Sequence, residues 1–172
     1  QGQDVQVQLY TAFAPLIHIG AIERVADQLD LELITVAAEP FAVARSVIGD
    51  DPNANLSAIL LDVGGGTTDI AVVNEGGVEG TKMFGIGGRS FTKSIQRDLN
   101  IDFERAEALK LGLSDGRAPL SYRHEVESAL RKTLAVWLSG VQLALEEFKR
   151  LDHLPHRILL CGGGASLEML TE

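Results

Sequence analysis

Two aspartates bracket a run of glycines and threonines in the order Asp62, Gly64, Gly65, Gly66, Thr67, Thr68, Asp69, with apolar residues on both sides at 59–61 and 70–73. An apolar run ending in an acid, a small-residue turn and a second apolar run read as a buried strand, a tight bend and a returning antiparallel strand. Glycines let a backbone take conformations closed to other residues and come close to a ligand. Consecutive free N–H groups in such a bend form a nest suited to a phosphate. Asp62 stands at the mouth of the strand, where a carboxylate could hold the cation that neutralises that phosphate. The plainer reading is a hairpin with a glycine-rich bend. Yet three glycines exceed the two-residue loops that hairpins favour, and a plain hairpin has no need of acids beside a buried strand. The chemistry these residues suit is nucleotide-phosphate binding.

Such a turn needs a sheet behind it and helices to close it. Residues 5–10 alternate apolar and polar as a half-exposed strand does, and 16–29 repeat Ile19, Ile22, Val25, Ala26 and Leu29 at helical spacing. A strand is expected at 31–37 and a helix at 40–47 opened by Pro40. The cluster 49–55 is a turn. After the hairpin come a third strand at 78–84, a helix near 90–99 preceded by Gly85, Gly87 and Gly88, and a helix from 103 to about 111 capped by Asp102. A polar loop at 113–120 leads to a long amphipathic helix over about 122–151, with Val126, Leu130, Leu134, Trp137, Val141, Leu145 and Phe148 in one stripe. A last strand at 157–161 ends in Gly162, Gly163, Gly164 and Ala165, where another helix starts. The order implies an α/β fold with a mixed sheet that contains an antiparallel hairpin and is flanked by helices.

The 172 residues suffice for one sizeable core or two lobes, and 45% hydrophobic with 23% charged residues is a globular composition. A net charge of −9 argues against nucleic acid as a partner. The single cysteine, Cys161, has no internal disulfide partner, which suits a reducing compartment. No apolar run approaches the ~20 residues that span a bilayer, so direct membrane insertion is not expected. The four histidines have no metal-ligand spacing and receive no chemistry. The first residues lack an initiator methionine and a signal-like core, so a fragment of a longer protein is expected.

The three glycine-rich stops resemble the motifs of the actin-like ATPase superfamily. Residues 62–69 are similar to its second phosphate motif, 158–165 to its adenosine motif, and 38–45 to the helix that precedes the phosphate motif. The Glu39-Pro40 pair, Gly87-Gly88 before a helix, and residues 103–110 are most similar to the bacterial FtsA and PilM families. The resemblance implies an RNase H-like fold, ATP and Mg²⁺ as ligands, and a role for each matched residue. Asp62 would hold Mg²⁺ through its water shell, with Asp69 in the outer shell, and Glu39 would orient the attacking water. The amides of Gly64, Gly65, Gly66 and Thr67, with Thr68 and Gly87-Gly88 beside them, would clasp phosphates. Glu107 and Lys110 would touch ribose or adenine, and the base would lie against Gly162, Gly163, Gly164 and Ala165. It also implies a cytoplasmic scaffold, peripheral at the inner membrane through partners. Those partners would be proteins of a division or pilus assembly complex, with self-association.

Plainer readings stand beside these. Glu39 suits a helix N-terminus, Glu107 and Lys110 suit a solvated surface pair, Gly87-Gly88 suits close helix packing, and 162–165 suits a tight strand-to-helix turn. The first phosphate motif has no match here, so residues 1–58 read as part of a first lobe. Residues 59–172 read as the second lobe, with a reduced helical upper subdomain at about 89–150 that leans toward PilM. With half the clamp missing, the chain alone is expected to bind nucleotide weakly and hydrolyse little. A kinase-type phosphotransferase of the same wider fold, or a lobe that only binds proteins, are the alternatives.

Overall fold

A computed structural model of the chain describes residues 9, 11–48, 56–117, 120–148 and 153–171. Four strands, β1 Ala58–Val63, β2 Thr68–Asn74, β3 Gly77–Phe84 and β4 Ile158–Cys161, form one sheet in the order β3-β2-β1-β4. The first three pair antiparallel through short connections, and β4 joins β1 in parallel. A parallel neighbour requires a long crossover, and three helices supply it: α3 Gly88–Leu99, α4 Phe103–Ser114 and α5 Leu120–Glu146. Two more, α1 Leu16–Gln28 and α2 Glu39–Ile48, precede the sheet.

Period-two alternation along β1 divides the core. Ile59, Leu61 and Val63 face one side with Ile70 of β2, where Phe91 and Ile95 of α3, Ala106 and Leu109 of α4, and Val126, Leu130 and Trp137 of α5 cover them. Ala58 and Leu60 face the other side with Ala71 and Val73, packed on Ala44 of α2. The apolar stripe expected on the long helix meets the sheet from Val126 to Leu145, but α5 ends at Glu146, which leaves Phe148 beyond it, and the expected end at 151 lies outside the described residues. Helix starts follow local chemistry: the Asp102 carboxylate accepts from the Arg105 N–H at 2.7 Å, and α3 ends on Asn100 in the left-handed region at φ 50.

Trp137 does more than fill the core. Its indole N–H donates to the Thr68 hydroxyl at 2.9 Å, and that hydroxyl donates to the Ile86 carbonyl at 2.7 Å. A buried side-chain chain thus ties α5 to the first residue of β2 and to the loop entering α3.

Three expectations need revision. Residues 31–37 form no strand: no ladder partner meets them among the described residues, and Leu31, Leu33, Ile34 and Val36 stay exposed. The loop foreseen at 113–120 is shorter, because α4 runs through Ser114 and α5 begins at Leu120. After β4 the chain makes two short 3₁₀ turns, Gly163–Ser166 and Glu168–Leu170, rather than an α-helix. The strand foreseen at 5–10 falls outside the described residues apart from Leu9, as does the whole turn at 49–55.

Trp137→Phe, which keeps a large ring but loses the donor to Thr68, should cost about 1–2 kcal/mol in urea unfolding, and Trp137→Ala about 3–5 kcal/mol. A Trp137→Phe cost below about 0.5 kcal/mol, typical of a surface change, would show that the hydrogen bond carries no stability.

Candidate functional site

In the turn between β1 and β2, the carbonyls of Gly64, Gly65 and Thr67 are engaged while three successive amides are not. The Gly64 N–H donates to the Thr67 carbonyl at 3.0 Å and closes the turn. The first amides of α3 then dock on it: Gly88 N–H donates to the Gly64 carbonyl at 2.9 Å, and Arg89 N–H to the Gly65 carbonyl at 2.8 Å. Among the described residues, the amides of Gly65, Gly66 and Thr67 meet no protein acceptor. Adjacent unengaged N–H groups at a bend are the backbone's way of receiving an anion.

The glycines around this turn fall into two groups. A Cβ on Gly87 would lie 2.5 Å from the Gly64 carbonyl oxygen, and one on Gly164 would lie 2.3 Å from a Val63 methyl. Gly162 takes φ +80 and would put a Cβ 2.3 Å from Asp62 Oδ1. The fold itself demands these three. Gly65 and Gly66 differ: neither takes a left-handed φ, a Cβ on Gly65 would make only ordinary contact with the Arg89 side chain at 3.8 Å, and one on Gly66 would meet nothing within 4 Å. Nothing in the protein requires glycine there.

On the helix-covered side, a cleft of about 420 Å³ opens beside the turn, within the size range of ligand sites. Of the expected residues, Gly64, Gly65, Gly88, Glu107, Lys110, Gly163 and Gly164 line it. Glu107 and Lys110 are not a solvated pair. The Lys110 side chain is 8% exposed, and its ammonium donates to Glu107 Oε2 at 2.8 Å, Thr92 Oγ1 at 2.9 Å and the Gly88 carbonyl at 3.2 Å. The Thr92 hydroxyl in turn donates to Glu107. Burial alone pushes the Glu107 carboxyl up, but the hydrogen bonds from Lys110 and Thr92 and the ammonium charge leave it below the ordinary glutamate value.

The carboxylates lie on the opposite side of the sheet. Asp62 and Asp69 are directly opposed in the β1–β2 register, and α2 brings Glu39 to them. Like charges directly opposed destabilise a strand pair, and among the described residues none of the three is paired with a lysine or arginine. The Glu39 carboxyl is raised above its ordinary value by a hydrogen bond with Asp62, then by the charges of Asp62 and Asp69 and by burial. A carboxyl that holds its proton more tightly when folded stabilises at acid pH, and this contribution is lost as pH rises through its raised value. Cys161, level with Asp62 on β4, is pushed up to about 11 by burial and then by the Asp62 and Glu39 charges. No three His, Cys, Asp or Glu side chains among the described residues could hold a bare metal ion. The uncompensated acids do suit a divalent ion that keeps its water shell, such as Mg²⁺.

Other expected residues sit at the rim. Thr67 donates to Asp69 Oδ2 at 3.3 Å. Thr68 is buried with its hydroxyl engaged by Ile86 and Trp137. Gly66 is exposed, Gly87 is packed on the turn, and Gly162 and Ala165 follow β4 without lining the cleft. Sequence reasoning missed Arg89, Phe103, Leu111, Ser166 and Leu167, which also line it. Arg89 was findable, one residue beyond the Gly87-Gly88 pair. The others depend on how α4 and the 3₁₀ turn lie against each other.

Gly87→Ala should destabilise by about 1–3 kcal/mol, as overpacking does, because backbone atoms face the new methyl. An unchanged midpoint in chemical unfolding would mean that α3 does not dock as described. In a carbon-13 titration, Glu39 should ionise above an ordinary glutamate and return toward it in Asp62→Ala; an ordinary value in the unaltered protein would refute the convergence of the acids.

The profile described as "Cell division protein FtsA" matches residues 59–172, about two-thirds of the chain. Cell division protein FtsA of Pseudomonas aeruginosa is 34% identical over 170 residues, covering 88% of this chain and 40% of that protein. The chain spans less than half the length of the relatives it matches. Among solved structures, the PilM-PilN type IV pilus biogenesis complex aligns at a TM-score of 0.67 and 21% identity over 88% of this chain and 42% of that one. MreB5 of Spiroplasma citri bound to ADP aligns at 0.64 and 21%, over 90% and 56%. The fold is that of the actin-like ATPases, and the chain belongs to the FtsA family.

Proposed function

We propose that the chain forms one wall of an ATP·Mg²⁺ site in an actin-like scaffold of the FtsA type. Such a scaffold would act in the cytoplasm, at the inner membrane through protein partners, in cell division or in pilus or secretion assembly. Residues 59–172 would be the second lobe, with 89–150 as its reduced helical part, and residues before 59 would belong to the first. One observation carries the reading: Gly65 and Gly66 are glycines that the fold does not need, at a turn where the amides of Gly65, Gly66 and Thr67 meet no acceptor among the described residues. A ligand that must reach the backbone explains both. The relative that aligns with bound ADP supports the same choice of ligand.

In this reading the amides of Gly65, Gly66 and Thr67 hold phosphate oxygens. Gly163 and Gly164 offer bare backbone to a base on the far side of the cleft, with Glu107 beside the ribose. Lys110 and Thr68 act by holding α3, α4 and α5 against the turn. Asp62, with Asp69 behind it, holds the hydrated cation. Glu39, whose proton affinity is raised by its contact with Asp62 and by the charges of Asp62 and Asp69, orients the attacking water. Bound Mg²⁺ supplies charge neutralisation, the main requirement of phosphoryl transfer. No helix among the described residues is long and apolar enough to cross a membrane.

Calorimetric titration of Mg·ATP into the intact protein should give micromolar binding that Asp62→Ala weakens at least tenfold, about 1.4 kcal/mol. Gly66→Ala separates binding from folding. It should stabilise the chain by about 0.4–1 kcal/mol, as alanine does at a compatible φ, while weakening Mg·ATP. Absence of binding by the unaltered protein would sink the proposal and leave the turn a structural bend.

A further inference from the structure

Two cationic side chains line the cleft, Arg89 and Lys110. They are not equivalent. The Lys110 ammonium has three protons and three protein acceptors, Glu107, Thr92 and the Gly88 carbonyl, and its charge is matched by Glu107. It has no donor left for a ligand. Arg89 is the reverse case. Its backbone N–H is fixed on the Gly65 carbonyl, its Nε and Cζ come within 3.8 and 3.9 Å of the position a Gly65 Cβ would take, and it is exposed. Among the described residues its guanidinium has no ion pair and no hydrogen bond, although the chain carries 24 acids against 15 lysines and arginines.

The position is also electrostatically unfavourable for a cation left by itself. Arg89 lies in the first turn of α3, where the helix presents its positive end, and that turn contains no acid to offset it. Arginine is a good helix former, but so are residues without this charge, and packing gives no reason for it either, since the side chain is exposed. An anion on the neighbouring amides of Gly65 and Gly66 would reverse the sign of the local field and give the guanidinium the planar, multi-donor contact it makes best.

We propose that Arg89 is a phosphate-binding residue of this site, which closes over the phosphates on the 64–67 turn and sets the preference for nucleoside di- and triphosphates over the bare nucleoside. The inference rests on the nucleotide reading above and adds to it the group that provides side-chain charge on the cleft side. Lys110 then has the separate task of positioning α3 and α4, and Arg89 is the cationic side chain that adds phosphate discrimination to that of the turn amides and the cation.

The test compares ATP, ADP and adenosine by calorimetry, with Mg²⁺ present, in the intact protein and in its Arg89→Ala and Arg89→Lys variants. Arg89→Ala should weaken ATP and ADP at least about tenfold, in line with the loss of hydrogen bonds to a charged group, and leave adenosine within about twofold. Arg89→Lys should recover part of the loss, since it keeps the charge without the fork. Because Arg89 is exposed, the thermal midpoint without nucleotide should not move. Equal weakening of all three ligands would overturn the proposal in favour of a role in shaping the cleft. Unchanged ATP affinity in Arg89→Ala, with the unaltered protein still binding, would overturn it while leaving the nucleotide site intact. No binding of any of the three by the unaltered protein would overturn the site itself, and this inference with it.

Discussion

Backbone lies on backbone where β1 ends, and the rest of the structure follows from that closeness. Three α-carbons without side chains, those of Gly87, Gly162 and Gly164, sit against residues 62–67 at distances that leave no room for a methyl group. Gly87 brings the first amides of α3 onto the turn carbonyls, and Gly162 and Gly164 bring the chain leaving β4 beside Asp62 and Val63. The three segments are far apart in sequence, so their meeting depends on the whole crossover from α3 to α5. Packing is unforgiving at this scale because the interior has little free volume to absorb a displaced atom. The turn is consequently held from two sides, and its unengaged amides are held with it.

The sheet also separates two electrostatic environments. Asp62, Asp69 and Glu39 gather on the face covered by α2, while Glu107, Lys110 and Arg89 border the cleft on the face covered by α3 and α4. The glycine turn lies at the edge shared by both. On the α2 face, three acids with no lysine or arginine partner among the described residues oppose folding, and that conflict between local charge and the fold is the kind found at functional sites. On the cleft face the Lys110–Glu107 pair is nearly neutral as a unit, which leaves the arginine as the charge that a ligand would meet.

Much of this was legible in the residues. The hairpin, the third strand, the Asp102 cap and the stripe on α5 all carry local signals, namely period-two alternation, turn residues and 3.6-residue spacing, and all are where those signals put them. Residues 31–37 carry an equally apolar signal but form no strand, because a strand is defined by a partner and none meets it among the described residues. The site divides the same way. Asp62 and the turn glycines announce themselves in one contiguous segment. The engagement of Lys110 by Gly88 and Thr92, and of Thr68 by Trp137, depends on residues 18 to 69 positions apart meeting in the core, and no local pattern records that. Sequence placed Trp137 in the core correctly; its hydrogen bond to Thr68, beside the glycine turn, became visible only in three dimensions.

Cys161 shows what burial beside the gathered acids does to a thiol. Its thiol, half-buried beside Asp62 and held to about 11, is ionised at neutral pH in only about one molecule in ten thousand. Peroxides and electrophiles react with the thiolate, not the thiol. Burial first, and the same charge that opposes folding second, therefore keep the sulfur in its less reactive form. A sulfinate there would add another anion to a cluster that already has too many.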